Sequence, residues 1–171
     1  MRILGIDPGY AIVGCGALEY DGAAFRTLEY GAITTRAHTD FAERLLTIDE
    51  DMRALLERVR PEAVAIEKLY FNTNTTTAID VAQARGVIVA SAARFGARVY
   101  EYTPLQVKLA VVGYGRAEKA QVMEMTRMIL GLKSVPRPDD VADALAIAVC
   151  CAHTAASGIN RMSMKNGGEI R

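Results

Sequence analysis

The sequence contains no tryptophan, only two histidines, three cysteines and five prolines, and its formal net charge is zero. Each scarcity closes a route. His38 and His153 do not belong to a set of metal ligands at zinc-binding spacing, so a zinc centre is not expected. Cys15 stands alone, and Cys150 and Cys151 are adjacent, which strains a mutual disulfide. All three read as small buried hydrophobes. No apolar run reaches the roughly 18 residues of a membrane span, and the opening residues lack the charged and apolar regions of a secretory leader. The expectation is a cytoplasmic protein without membrane attachment. Zero net charge argues at first against a polyanionic partner, but the charge is unevenly spread. Met1 to Glu67 carries 7 basic and 12 acidic residues, whereas Arg85 to Arg137 carries 9 basic and 3 acidic. A basic half of this kind suits a phosphate backbone.

What is present reads as one α/β domain over residues 1–157, followed by a polar, glycine-bearing tail, residues 158–171, expected to be disordered. A chain of 171 residues buries roughly 68–70% of its unfolded surface and needs no covalent staples. Apolar runs predict strands at Ile3–Asp7, Ile12–Tyr20 and Phe25–Thr34, the latter two joined around Asp21-Gly22. Asp40 with Glu43 three residues on opens an amphipathic helix whose apolar positions run from Phe41 to Val59, stopped before Pro61. Strands are expected at Ala63–Glu67 and Arg98–Tyr102. Helices are expected at Thr75–Phe95, Thr103–Val112, Ala117–Leu130 and Asp139–Ala156.

Two of those strands end in an acid. Asp7 and Glu67 stand at the C-terminal lips of apolar strands, and if the strands are parallel neighbours their backbones lie about 4.7–4.9 Å apart. Two bare carboxylates at that separation repel unless one keeps a proton or a cation lies between them. In "PDDVADALAIAVCC", Asp140 and Asp143 share one face of the first turn of an apolar helix, with Asp139 the expected cap. Four carboxylates without histidine or thiol match the oxygen preference of Mg²⁺ or Mn²⁺. Paired ions of this type hydrolyse phosphodiesters.

The blocks "GIDPG", "AIEKLYF", "AQARGV", "VKLAVVGYGRAEKAQV" and "DDVADALAIA" occur in the order found in the RuvC family of Holliday junction resolvases, and Met1 to Ala152 resembles that family throughout. The resemblance implies a ribonuclease H-like (retroviral-integrase-like) fold, a mixed five-stranded sheet flanked by helices. It implies that Asp7, Glu67, Asp140 and Asp143 are catalytic and hold one or two Mg²⁺ ions per subunit, with Mn²⁺ as a substitute. Lys108 and Lys119 match the family's lysines near the active site and DNA. Tyr70 matches an aromatic that stacks on junction bases. Phe71, Asn72, Asn74, Arg85 and Arg116 complete the expected DNA-binding set. The implied activity is paired symmetric nicking of four-way junctions in recombination and repair, leaving 5′ phosphate and 3′ hydroxyl. A homodimer, with the alanine-rich helix Ala78–Ala93 as the candidate contact, and the RuvA and RuvB branch-migration proteins are the implied partners.

Rival readings differ in what they need. Sugar kinases and Hsp70-like ATPases also open on "GIDxG", but they require a second domain and a second glycine-rich phosphate turn. Another ribonuclease H-like nuclease acting on structured RNA, or a non-catalytic junction-binding module, shares the fold. The "AQARGV" block and the D-x-x-D-A ending favour the resolvases over the first, and the four filled acidic positions favour an enzyme over the second.

Overall fold

Strict alternation decides which face of the sheet each side chain joins. On β1 (Arg2–Asp7), Leu4 and Ile6 point to one side, while Ile3 joins the cluster on the other. On β4 (Ala63–Glu67), Val64 and Ile66 share the side of Leu4, and Ala63 and Ala65 that of Ile3. β2 (Ile12–Tyr20) follows suit: Val13, Cys15 and Ala17 go with Leu4, and Leu18 goes with Ile3. The two apolar faces make two cores, as expected of a sheet covered on both sides.

The computed structural model describes residues 1–69 and 75–156. Its five strands, which include β3 (Phe25–Thr34) and β5 (Arg98–Tyr102), are ordered β3-β2-β1-β4-β5. β1, β2 and β3 form an antiparallel meander, whereas β1–β4 and β4–β5 are parallel. The mixed sheet is therefore the one expected. α1 (Phe41–Val59) and α2 (Thr75–Phe95) cover the Leu4 face, through Ile48, Met52, Leu56, Ala84, Ile88 and Ala92. α5 (Asp139–Ala156) covers the Ile3 face and is itself covered by α3 (Pro104–Val112) and α4 (Lys119–Ile129). Enclosure on all sides explains why α5 is apolar around its whole circumference beyond the first turn.

Helix ends follow local chemistry. The Asp40 side chain accepts from Ala42 N at 2.8 Å to open α1, and Thr103 and Gln106 cap α3 reciprocally ahead of Pro104. α4 begins two residues later than expected, because Glu118 is its cap residue, with its N–H donating to Gln121 Oε1 at 2.8 Å. The cap expected of Asp139 is a correction. Asp139 is already the first residue of α5, and its carboxylate is engaged by Arg137 and Lys119 instead of the helix's own amides. Two nearby cations outbid a backbone N–H for a charged acceptor.

Glycine decides how near α5 comes to the sheet. Gly5 is paired across the strands with Gly16, and Gly14 with Asp7. A Cβ added at Gly5 would lie 2.0 Å from Ala144 O, and one at Gly14 would lie 2.0 Å from Asp140 O. At Gly16 it would meet the Leu145 side chain at 2.7 Å. The three glycines form a groove in which the helix backbone rests directly on the strands. Among the described residues, no helix is long and apolar enough to cross a membrane.

Candidate active site

Asp7 and Glu67 are one step beyond the last registered pair of the parallel strands, Ile6 with Ile66. Alternation turns both side chains to the α5 side, where the first turn of α5 brings Asp140 and Asp143 against them. The glycine groove makes this approach possible, since Gly14 lies beside Asp7 in the sheet and beneath Asp140 in the helix. Lys119, the first residue of α4, completes the cluster with Nζ 2.8 Å from Asp143 Oδ2 and 3.7 Å from Asp139 Oδ2.

The electrostatics are those of negative charge confined at the edge of a core. Burial, then Glu67, Asp143 and Asp140, push the Asp7 carboxyl up to about 8, against a smaller opposing pull from Lys119. Burial likewise raises Glu67, with Asp143 adding to the rise and Lys119 and a hydrogen bond from Asp7 limiting it. Asp143 is raised by burial despite its bond to Lys119. The ammonium of Lys119 loses something to burial, and Asp143, Asp139 and Asp7 together more than restore it. One lysine thus neutralises part of a cluster in which burial and mutual repulsion favour the protonated forms of Asp7, Glu67 and Asp143.

The donor set fits a hard divalent cation: every candidate ligand is a carboxylate oxygen, and the cluster carries an unmet demand for positive charge. As the side chains stand, no group of three acids, histidines or cysteines among the described residues is closed around a common point for an ion. The ion pair to Lys119 accounts for part of this, because it holds the Asp143 carboxylate to the ammonium.

These shifts have a measurable consequence for the metal-free protein. The folded state holds the Asp7 proton more tightly than the unfolded chain, with a folded value of about 8 against 3.8. The stability from this group is therefore complete below pH 3.8 and is lost as pH rises toward 8. In EDTA, calorimetry at pH 8 should show a lower melting temperature than at pH 6, and millimolar Mg²⁺ should recover the difference. An unchanged melting temperature across that range, with or without Mg²⁺, would contradict the electrostatic picture.

The remaining expected site residues are placed unevenly. Lys108 lies half-buried on α3, and among the described residues it makes no ion pair with the four acids. Arg116 is exposed in the loop between α3 and α4. Tyr70, Phe71, Asn72 and Asn74 lie outside the described residues, as do residues 158–171. Arg85 does not project from the surface as expected of a DNA-binding arginine. It pairs with Glu101 and donates from Nε to Glu67 O at 3.3 Å. Sequence reasoning missed that contact and the glycine groove. The groove had a visible sign, since glycine at alternate positions 14 and 16 of one strand marks close approach by another backbone. The Arg85 contact, made between residues 18 positions apart on a strand and a helix, had none.

Comparison with known proteins identifies the family and the fold. Residues 3–151 match the family described as Crossover junction endodeoxyribonuclease RuvC. A relative of that name from Heliobacterium modesticaldum is 57% identical over 159 residues, covering 93% of this chain and 98% of its own. The Thermus thermophilus RuvC structure superposes with a TM-score of 0.85 at 41% identity, covering 92% of this chain and 97% of that one. A second structure, T. thermophilus RuvC in complex with Holliday junction substrate, matches with the same TM-score of 0.85 at 38% identity.

Proposed function

This chain belongs to the RuvC family of crossover junction endodeoxyribonucleases, and on that premise we propose that Asp7, Glu67, Asp140 and Asp143 hold Mg²⁺ to cut four-way DNA junctions. The enzyme is a Holliday junction resolvase, a hydrolase of phosphodiester bonds. The observation that carries the site assignment is the meeting of two parallel strand ends and one helix start, which gathers carboxyl groups whose affinity for protons is raised. An enzyme tolerates such a cluster where a cation is to be bound.

Bound Mg²⁺ would supply water activation and charge neutralisation for in-line hydrolysis, leaving 5′ phosphate and 3′ hydroxyl. The chain's own contributions are positional and electrostatic. β1 and β4 fix Asp7 and Glu67 on rigid strand ends, and α5 sets Asp140 and Asp143 opposite them. The Lys119 ammonium, once released from Asp143, is available to a phosphate gaining negative charge. Lys108 and Arg116 would hold the DNA backbone, with Tyr70 stacking on a junction base.

The same reading extends to assembly. Two paired nicks on a substrate with twofold pseudo-symmetry call for two sites related by a twofold axis, so the active form is a homodimer. RuvA and RuvB are its partners in branch migration, and the cytoplasm is its location.

The test is a synthetic mobile four-way junction incubated with Mg²⁺ beside a linear duplex of the same sequence and a structured RNA. Paired symmetric nicks on the junction alone are expected. A junction bound yet uncut in both Mg²⁺ and Mn²⁺ would establish a binding module, and cutting of the RNA alone would move the substrate class.

A further inference from the structure

Arg85 belongs to the basic half of the sequence, yet its side chain is only 19% exposed and is already engaged at two points. Nε donates to Glu67 O, and the guanidinium pairs with the Glu101 carboxylate. The positions of these partners in the sheet matter. Glu101 is registered with Ile66, and Ile66 packs on the α1 and α2 side. Arg85 therefore approaches the end of β4 from the face opposite the one on which the Glu67 carboxylate meets Asp7 and α5. On the next residue, Lys68 N donates to Tyr102 O at 2.8 Å, tying the strand's exit to β5.

We propose that Arg85, anchored by Glu101, is a positioning residue for the metal site: it grips the Glu67 backbone from behind the sheet and so fixes where the Glu67 carboxylate stands. This deepens the proposed function and rests on the reading of Glu67 as a metal ligand. A strand's last residue is where pairing ends and the chain is free to turn away. Here the next described element is α2, the helix that carries Arg85, so one guanidinium joins the end of β4, the edge strand β5 and α2. Planar donors in a fixed fork can serve a carbonyl and a carboxylate together, which a lysine ammonium does with less directionality. Groups that orient a ligand from behind in this way are commonly worth 10–100-fold in metal affinity or activity.

The experiment compares wild type with Arg85→Met, Arg85→Lys and Glu101→Gln, each checked for cooperative melting. Three quantities are read: junction affinity as a function of salt, the single-turnover cleavage rate against Mg²⁺, and the rise in melting temperature produced by Mg²⁺ without DNA. Arg85→Met should raise the Mg²⁺ needed for half-maximal cleavage by about tenfold and shrink the Mg²⁺-induced rise in melting temperature, while junction affinity and its salt slope stay unchanged. Arg85→Lys should recover part of the loss, and Glu101→Gln should shift the Mg²⁺ requirement the same way to a smaller extent.

A DNA-binding arginine behaves oppositely. Arg85→Met would then weaken the junction complex and lower its salt slope by about one, and Glu101→Gln, by freeing the guanidinium, would tighten it. Either result, or an unchanged Mg²⁺ requirement in all three variants, overturns the proposal. If Arg85→Met fails to fold, Glu101→Gln and Arg85→Lys decide it. Failure of wild type to cut or to be stabilised by Mg²⁺ would instead sink the metal-site reading on which it rests, and this proposal with it.

Discussion

Asp7→Asn should abolish junction cleavage and, in the absence of metal, make the protein more stable than wild type. The two effects have one cause. The carboxylate is half of the strand-end pair at the centre of the site, and its replacement by an amide removes a charge that Mg²⁺ would need. A loss of about 10³-fold or more is expected, corresponding to the several kcal/mol of charge stabilisation a bound ion contributes. The amide also removes the repulsion and desolvation that push Asp7 up to about 8 in the native protein. At pH 8 in EDTA the variant should melt above wild type by about 2–4 °C for each kcal/mol relieved, and the gap should narrow steadily as pH falls toward 3.8, where the carboxyl of the unfolded chain also takes up its proton. Added Mg²⁺ should stabilise wild type more than the variant. Junction affinity measured by gel shift in EDTA at pH 8 should be preserved or improved, because a partly ionised carboxyl has left a surface that meets phosphate. A variant that cleaves within tenfold of wild type, or melts below it at pH 8, would remove Asp7 from the role assigned to it.

Gly14→Ala should damage both the fold and the site, by a different route. The added methyl would sit 2.0 Å from Asp140 O and 2.3 Å from Asp140 C, both backbone atoms at the start of α5. No rotamer relieves a backbone clash, so either the strand or the helix must withdraw. Overpacking of this kind costs about 1–3 kcal/mol and occasionally more, equivalent to roughly 2–12 °C of melting temperature in a domain of this size. The retreat of α5 also carries Asp140 and Asp143 away from Asp7, so cleavage should fall further than the folded fraction does. Gly31→Ala is the matched control, since a Cβ there meets nothing within 4 Å and should leave melting within about 0.5 kcal/mol of wild type. Equal behaviour of the two variants would show that helix α5 does not rest on Gly14 as described.

The parts of the molecule legible in the sequence are those written in short-range pattern. Ile3 to Asp7 and Ala63 to Glu67 are apolar runs closed by an acid, and they became adjacent parallel strands. The amphipathic spacing from Phe41 to Val59 became α1 without change. Asp140 and Asp143, three residues apart on a helix, had to share a face wherever that helix went. Contacts between distant segments were less visible. The pairing of Lys119 with Asp143 depends on how α4 crosses α5, and the burial of Arg85 depends on α2 lying over β4 and β5. Charge counting placed Arg85 among the DNA contacts because a sequence does not show which basic residues already have acidic partners. Asp139 was misread for the same reason. Its type suits a cap, but the choice between a backbone amide and a cation is made by Arg137 and by Lys119 from another helix.

Helix ends normally open and close many times for each global unfolding event, and a site built on one inherits that motion. α5 is arranged otherwise. From Val141 to Ala152 every residue but Asp143 is inaccessible to solvent, and the carbonyl of Asp140 lies against Gly14. Fraying its first turn would require the helix to leave the sheet, which would expose both neighbouring layers. The amides of Val141 to Ala152 should therefore be among the slowest to exchange with deuterium, released only when the whole domain unfolds. Asp140 and Asp143 are consequently held at their positions for as long as the protein stays folded.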